Sequence, residues 1–111
     1  SGEMQCMKYR EIYAALAKRR MDVPGFRFSD YSGWRSPTQS YMTRQRPLWI
    51  VAEDPSLSRR LWITQEGRDL SITVGKMDQN GGNCGTVNHI SCRNRTELAA
   101  ELRRLFDSDA A

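Results

Sequence analysis

The chain has 111 residues and a formal net charge of +4, with 39% hydrophobic and 27% charged residues. This length allows one hydrophobic core and leaves no room for two, so residues 1–111 are predicted to form a single domain. The composition is typical of a folded protein, and it excludes a disordered, collagen-like or membrane-spanning chain, since no apolar run approaches the roughly 18 residues of a membrane span.

The N-terminus and the cysteines predict a cytoplasmic location. No apolar segment follows Lys8 and Arg10, so no secretory signal is expected. The three cysteines, Cys6, Cys84 and Cys92, are an odd number, which fits reduced thiols. Residues 1–3 are expected to be a cleavage remnant or a disordered N-terminus.

The first predicted element is an amphipathic helix. Apolar residues recur at spacings of three and four near the N-terminus, namely Tyr9, Ile12, Tyr13 and Leu16. This spacing predicts a helix over 4–20 that ends before Pro24, because proline disfavours helical dihedral angles in the residue that precedes it. Phe26 and Phe28 then alternate with polar residues, which predicts a short strand or an extended segment docked on the core.

Residues 29–46 show no sustained period and are predicted to form a long connection. A structureless connection of 18 residues is longer than the roughly 12–15 that compact domains usually carry, unless the loop binds something or is disordered. The segment is also rich in aromatic and basic residues. They are Tyr31, Trp34, Arg35, Tyr41, Arg44 and Arg46.

A period of two then predicts an antiparallel meander with one buried face. The predicted strands are 48–53, 60–65 and 69–75, with a possible fourth at 86–92 after the glycine-rich connection 75–85. The residues expected on the buried face are Leu61, Ile63, Leu70, Ile72 and Val74. Ser71 and Thr73 are expected to face water, because they alternate with that apolar set.

A closing helix follows the strands. Asn94 precedes Glu97 by three residues, which is the spacing of a capping box, and an apolar stripe of Leu98, Leu102, Leu105 and Phe106 lies behind it. The predicted fold is therefore α+β: an antiparallel meander of three to four strands, covered on one face by N- and C-terminal helices.

The loop 29–46 and two strand tryptophans form the predicted binding site. Trp, Tyr and Arg are the residue types that dominate hot spots of protein interfaces. The alternation also places Trp62 on the face opposite Leu61, where a ring beside Trp49 would form an apolar patch. The predicted partner-binding residues are Tyr31, Trp34, Arg35, Tyr41, Arg44, Arg46, Trp49 and Trp62.

Two other interpretations of the same residues stay open. Aromatic rings and arginines also stack single-stranded bases and hold phosphates, so RNA or DNA is the alternative partner. In the third interpretation the loop folds back over the rings and the arginines are only solvated. A net charge of +4 is low for a dedicated nucleic-acid binder, so another protein is the expected partner.

No catalytic residue, metal site or cofactor is predicted. Cys84, His89 and Cys92 have zinc-ligand chemistry, but His89 and Cys92 are three residues apart on a predicted strand and would point to opposite faces. Cys92 is expected in the core and His89 on the surface. Glu53 and Asp54 are expected to be a solvated strand end. The sequence therefore predicts a small non-enzymatic binding protein of the inhibitor, immunity or adaptor type, whose oligomeric state it leaves open.

Overall fold

The structure, a computed structural model, describes residues 8–33, 47–78 and 80–107. In chain order the elements are α1 (Arg10–Asp22), β1 (Arg27–Asp30), β2 (Leu48–Asp54), β3 (Arg59–Glu66), β4 (Asp69–Met77), β5 (Asn83–Cys92) and α2 (Arg95–Asp107). The five strands form one antiparallel sheet in which each strand pairs with the next along the chain. The predicted α+β class, with a meander between two terminal helices, is confirmed.

The sheet has five strands rather than the three to four predicted, because the segment after α1 becomes an edge strand. Val23 ends α1 in an extended conformation before Pro24, and Gly25 turns the chain with a φ of 85°. The segment then pairs with β2, placing Phe28 opposite Ala52. The predicted loop 29–46 is therefore shorter at its start, since its first two residues belong to β1.

The predicted burial pattern of the central strands is confirmed. The core side of the sheet, here called the inner face, carries alternate residues of each strand. Its buried residues on β2 to β5 are Leu48, Ile50, Ala52, Leu61, Ile63, Leu70, Ile72, Val74 and Cys92. Ile12 and Leu16 of α1 and Leu98 and Leu102 of α2 are fully buried in the same cluster. Both helices therefore cover one face, as expected for amphipathic elements on a half-buried sheet.

The two helices run side by side in the same direction. One surface groove is lined by the first turns of both helices, including Arg10 and Arg95, and another by their last turns, including Asp22 and Asp107. The predicted cap of α2 is present, because the amide of Glu97 donates to Oδ1 of Asn94 at 2.8 Å.

The expectation that Asp54 is a solvated strand end is wrong. Asp54 is 0% exposed, and its Oδ2 accepts a hydrogen bond from Nε of Arg19 at 2.8 Å. The same guanidinium donates to Oγ of Ser56 at 2.7 Å and to the carbonyl of Phe106 at 3.3 Å. Asp54 also accepts from the amides of Ser56 and Leu57, so this buried pair joins α1, α2 and the turn after β2.

The glycine-rich connection is also shorter than predicted. Met77 pairs with Asn83, so β4 and β5 extend into the region 75–85. Asp78 closes the remaining turn: its Oδ1 accepts the amides of Asn80 and Gly82, and its own amide donates to the carbonyl of Gly82.

Candidate functional site: the outer face of the sheet

The face of the sheet opposite the helices, here called the outer face, carries the other half of each strand. The register sets its side chains in rows across the strands: Val51 lies opposite Trp62, Trp62 opposite Thr73, and Thr73 opposite His89. Both described helices pack on the inner face. The outer face therefore has no helical cover within the described part of the chain.

An aromatic pair stands where β1 and β2 meet. The rings of Tyr31 and Trp49 are 5.5 Å apart at an interplanar angle of 47°, and Tyr31 is 43% exposed. The backbone fixes both residues, because the amide of Tyr31 donates to the carbonyl of Trp49, whose own amide donates to Oγ of Ser32. Tilted ring pairs at this separation attract each other beyond the area that they bury.

Trp62 extends the aromatic surface across the middle of the sheet. Val51 pairs with Trp62, and Trp49 is two residues away on the same face of β2, so the two tryptophans are diagonal neighbours. The ring of Trp62 lies over Gly75 of β4: a Cβ added there would meet two ring atoms at 2.6 and 2.9 Å. Gly75 thus leaves room for the half-buried ring to lie against the backbone.

Hydroxyl groups and His89 cover β3, β4 and β5 beside the rings. Thr64 and Ser71 are hydrogen-bonded through their hydroxyls at 3.2 Å. Thr73 Oγ1 lies 2.9 Å from Nδ1 of His89. His89 is exposed, which confirms the prediction that it lies on the surface. This half of the face can therefore both donate and accept hydrogen bonds.

Two arginines of the outer face, Arg27 and Arg60, share one carboxylate. Arg27 donates to Glu53 at 3.1 Å, and Arg60 lies 3.6 Å from the second oxygen of the same carboxylate. Arg60 also donates to the carbonyl of Gly81 at 2.7 Å. Both guanidinium groups are held by protein acceptors at one end of the face.

The structure brings three of the predicted site residues together: Tyr31, Trp49 and Trp62. The other five, Trp34, Arg35, Tyr41, Arg44 and Arg46, lie outside the described residues, and their role stays a prediction. The sequence reasoning missed Arg60 and Gly75. The period-two alternation of β3 and β4 was the signal that could have assigned both residues to the outer face.

The cysteines do not form a described site with His89. Cys84 is exposed, whereas Cys92 is buried on the inner face and so lies on the side of β5 opposite His89. Burial, together with the carboxylates of Glu97 and Glu101, raises the pKa of the Cys92 thiol. Among residues 8–33, 47–78 and 80–107, no three His, Cys, Asp or Glu side chains are grouped to hold a metal ion.

A groove between the last turns of the two helices has a volume of about 390 Å³. Its charged lining is internally paired where the structure shows contacts: Lys18 is 2.9 Å from Asp22, and Arg19 is engaged by the buried Asp54. The hydrogen bond and charge of Asp22 raise the pKa of Lys18. The groove offers mixed and largely satisfied charges rather than a site of one sign.

Comparison with known proteins returned no match to any family model, any curated protein or any solved structure. None of the helices in the described segments has the length and apolar character needed to cross a membrane.

Proposed function

We propose that this chain is a small non-enzymatic binding protein, of the inhibitor, immunity or adaptor type, that holds a protein partner on the outer face of its sheet. One observation carries the proposal: both described helices cover the inner face, while the outer face presents Tyr31, Trp49 and Trp62 together. Exposed aromatic surface rimmed by polar groups is typical of contact sites between proteins.

The charge on the outer face favours a protein over a nucleic acid. Binding to nucleic-acid phosphates requires available cations that displace the counterions condensed on the nucleic acid. Arg27 and Arg60 are instead engaged by Glu53. The hydroxyls of Thr64, Ser71 and Thr73 suit the polar part of a protein interface, where hydrogen bonds accompany aromatic anchors.

The described residues on either side of segment 34–46 lie beside the aromatic pair. Described residues resume at Pro47, directly before Leu48 and Trp49 of β2, and the preceding segment ends at Gly33, two residues after Tyr31. Segment 34–46 contains a tryptophan, a tyrosine and three arginines. The described residues that flank it, Gly33 and Pro47, are each two positions from Tyr31 or Trp49. This position supports one continuous contact surface made by the loop and the outer face.

A cytoplasmic site of action belongs to the same proposal. Cys84 is a free thiol exposed to solvent, and Cys92 is a second free thiol in the core. Unpaired thiols of this kind are typical of reducing compartments.

Photo-crosslinking in the native host tests the proposed surface. A crosslinking residue at Thr64, on the outer face, should capture a discrete protein, whereas the same residue at Arg103, exposed on α2, should not. Trp49→Ala should then weaken binding of the purified partner by at least about 2 kcal/mol, as truncation of a hot-spot residue does, while Arg103→Ala leaves the affinity unchanged. Capture from Arg103 alone would contradict the proposal.

A titration against nucleic acid separates the alternative partner. We expect no mixed-sequence single strand or duplex to bind more tightly than about 10 µM at physiological salt, which is in the range of non-specific association. Submicromolar binding that weakens steeply and linearly on logarithmic axes of salt, and that is lost in the double variant R44A/R46A, would make RNA or DNA the partner.

A further inference from the structure

The two edges of the sheet differ in a way that bears on self-association. β1 is four residues long and carries Arg27 and Asp30. β5 is ten residues long and contains no Lys, Arg, Asp, Glu or Pro. Charges, prolines and short length are the usual means by which an edge strand avoids pairing with another chain, and β5 lacks all three.

The backbone of β5 directs hydrogen-bonding groups away from the sheet. The amide of His89 donates to Oδ1 of its neighbour Asn88 at 2.9 Å, so this amide faces the open edge rather than β4. Because successive residues of a strand alternate in direction, the amide and carbonyl of Ser91 face the same edge. Asn88 is exposed, and its side chain occupies a position that the carbonyl of an added strand would take.

Only the second half of β5 has a regular ladder. The register with β4 shifts between Val74 and Gly75 and again between Gly75 and Met77, so the first half of β5 is bulged. Bulges twist an edge and oppose strand addition. From Asn88 to Cys92 the pairing with β4 is continuous, and this is the stretch on which another strand can align.

We propose that a second copy of this chain pairs with that stretch, β5 against β5 in antiparallel orientation, to form a two-fold symmetric dimer. An isologous contact brings identical segments together, and a strand without charged residues does so without like-charge repulsion. The neighbouring flank of α2 is also balanced, since Glu97 is paired with Arg93 and Glu101 with Arg104.

The alternation limits the register of this pairing. Residues whose backbone groups face the open edge must lie opposite each other. A two-fold axis through Ile90 meets this condition, because it places His89 of one copy opposite Ser91 of the other. All the paired residues then lie within Asn88–Cys92. The product is one ten-stranded sheet. Its two outer faces lie on the same side, so the dimer would present two copies of the proposed binding surface in one layer.

The test is the mass in solution of edge variants, measured by light scattering over a concentration series with reductant present to keep Cys84 from linking chains. The wild type should approach twice the 12.8 kDa of one chain as concentration rises. His89→Pro removes the outward amide and should remain monomeric, because that amide makes no bond to β4. The matched control, His89→Ala, loses the same side chain but keeps the amide and should dimerise like the wild type.

A second pair of variants covers the case in which His89→Pro does not fold, as judged by circular dichroism. Ser91→Lys places a cation on the pairing edge and should abolish the dimer, whereas Ser91→Ala should preserve it. A wild type that stays monomeric throughout the series would overturn the proposal. A dimer that survives Ser91→Lys would overturn it as well, because its interface would lie elsewhere.

Discussion

Glu53 and Asp54 are neighbours in β2, but their carboxylates lie on opposite faces of the sheet and in different environments. Glu53, 27% exposed at its side chain, holds Arg27 and Arg60 on the outer face. Asp54, fully buried, holds Arg19 beneath both helices. On the inner face a charge is removed from water, so its stability depends on its ion-pair partner. On the outer face water screens the attraction between the same kinds of charged groups.

The same contrast holds for the aromatic rings. Phe26 and Phe106 meet edge to face in the core at 5.7 Å, and the guanidinium of Arg19 stacks on Phe106 at 4.9 Å. Trp62 instead lies against the backbone of Gly75, Tyr31 packs against Trp49, and all three rings retain access to solvent. The rings of the inner face therefore stabilise the fold, and those of the outer face belong to the proposed contact surface.

The largest effect should come from breaking the buried pair. Asp54→Ala leaves the Arg19 guanidinium buried without its carboxylate, so we expect a loss of about 3–5 kcal/mol in the free energy of unfolding. Glu53→Ala, one residue away on the outer face, should cost about 1 kcal/mol or less. Denaturant titrations of the two variants measure both values.

Equal losses in these two variants would contradict the distinction between the faces. A second variant separates the charge from the packing: Asp54→Asn keeps the shape and can still accept from the amides of Ser56 and Leu57. We expect Asp54→Asn to be less destabilising than Asp54→Ala, because more of the local hydrogen bonds survive.

The sequence predicted the faces of the sheet because alternation is a local property. Leu61 and Ile63 are buried and Trp62 is on the other face, as a period of two requires. The cap at Asn94 is local as well, since its acceptor and the amide of Glu97 are three residues apart. Patterns of this range need no knowledge of the rest of the chain.

The features that the sequence did not predict depend on distant contacts. Asp54 is buried because Arg19, 35 positions earlier, supplies its counter-charge. The place of β1 in the sheet depends on the pairing of Phe28 with Ala52, and the packing of the Trp62 ring against β4 depends on the bare backbone of Gly75. A pattern of local periodicity contains none of these relations. The binding role assigned to Trp34, Arg35, Tyr41, Arg44 and Arg46 stays a prediction.

An effect of intermediate size should follow from filling the space under Trp62. In Gly75→Ala the new Cβ overlaps the ring, so the ring must move outward or the strands must shift, at a cost of about 1–3 kcal/mol. The fluorescence emission of Trp62, read in a variant that lacks the other tryptophans, should shift to longer wavelength as the ring becomes more exposed.

A double-mutant cycle is the control for this assignment. In a Trp62→Val background the ring is gone, so Gly75→Ala should cost little or nothing. If Gly75→Ala costs the same amount in both backgrounds, the ring is not what Gly75 accommodates, and the contact between Trp62 and β4 would be refuted.

The smallest effect compares the two ends of β5, where one thiol is exposed and the other lies on the inner face. In the folded protein at mildly alkaline pH, we expect an alkylating reagent to label Cys84 completely before labelling of Cys92 is detectable, because burial and the nearby Glu97 and Glu101 raise the pKa of Cys92 and keep it protonated. Peptide mapping by mass spectrometry distinguishes the two sites, and in denaturant both should react at similar rates. Labelling of Cys92 as fast as Cys84 in the folded state would show that the end of β5 is open, contrary to its place on the inner face.

The raised pKa of Cys92 also has a consequence for stability. The unfolded thiol loses its proton near its ordinary pKa of 9.0 while the folded thiol retains its own, so the stabilising contribution of Cys92 is complete below pH 9 and declines as the pH rises above it. The same unfolding titrations on Cys92→Ala should lack this part of the decline.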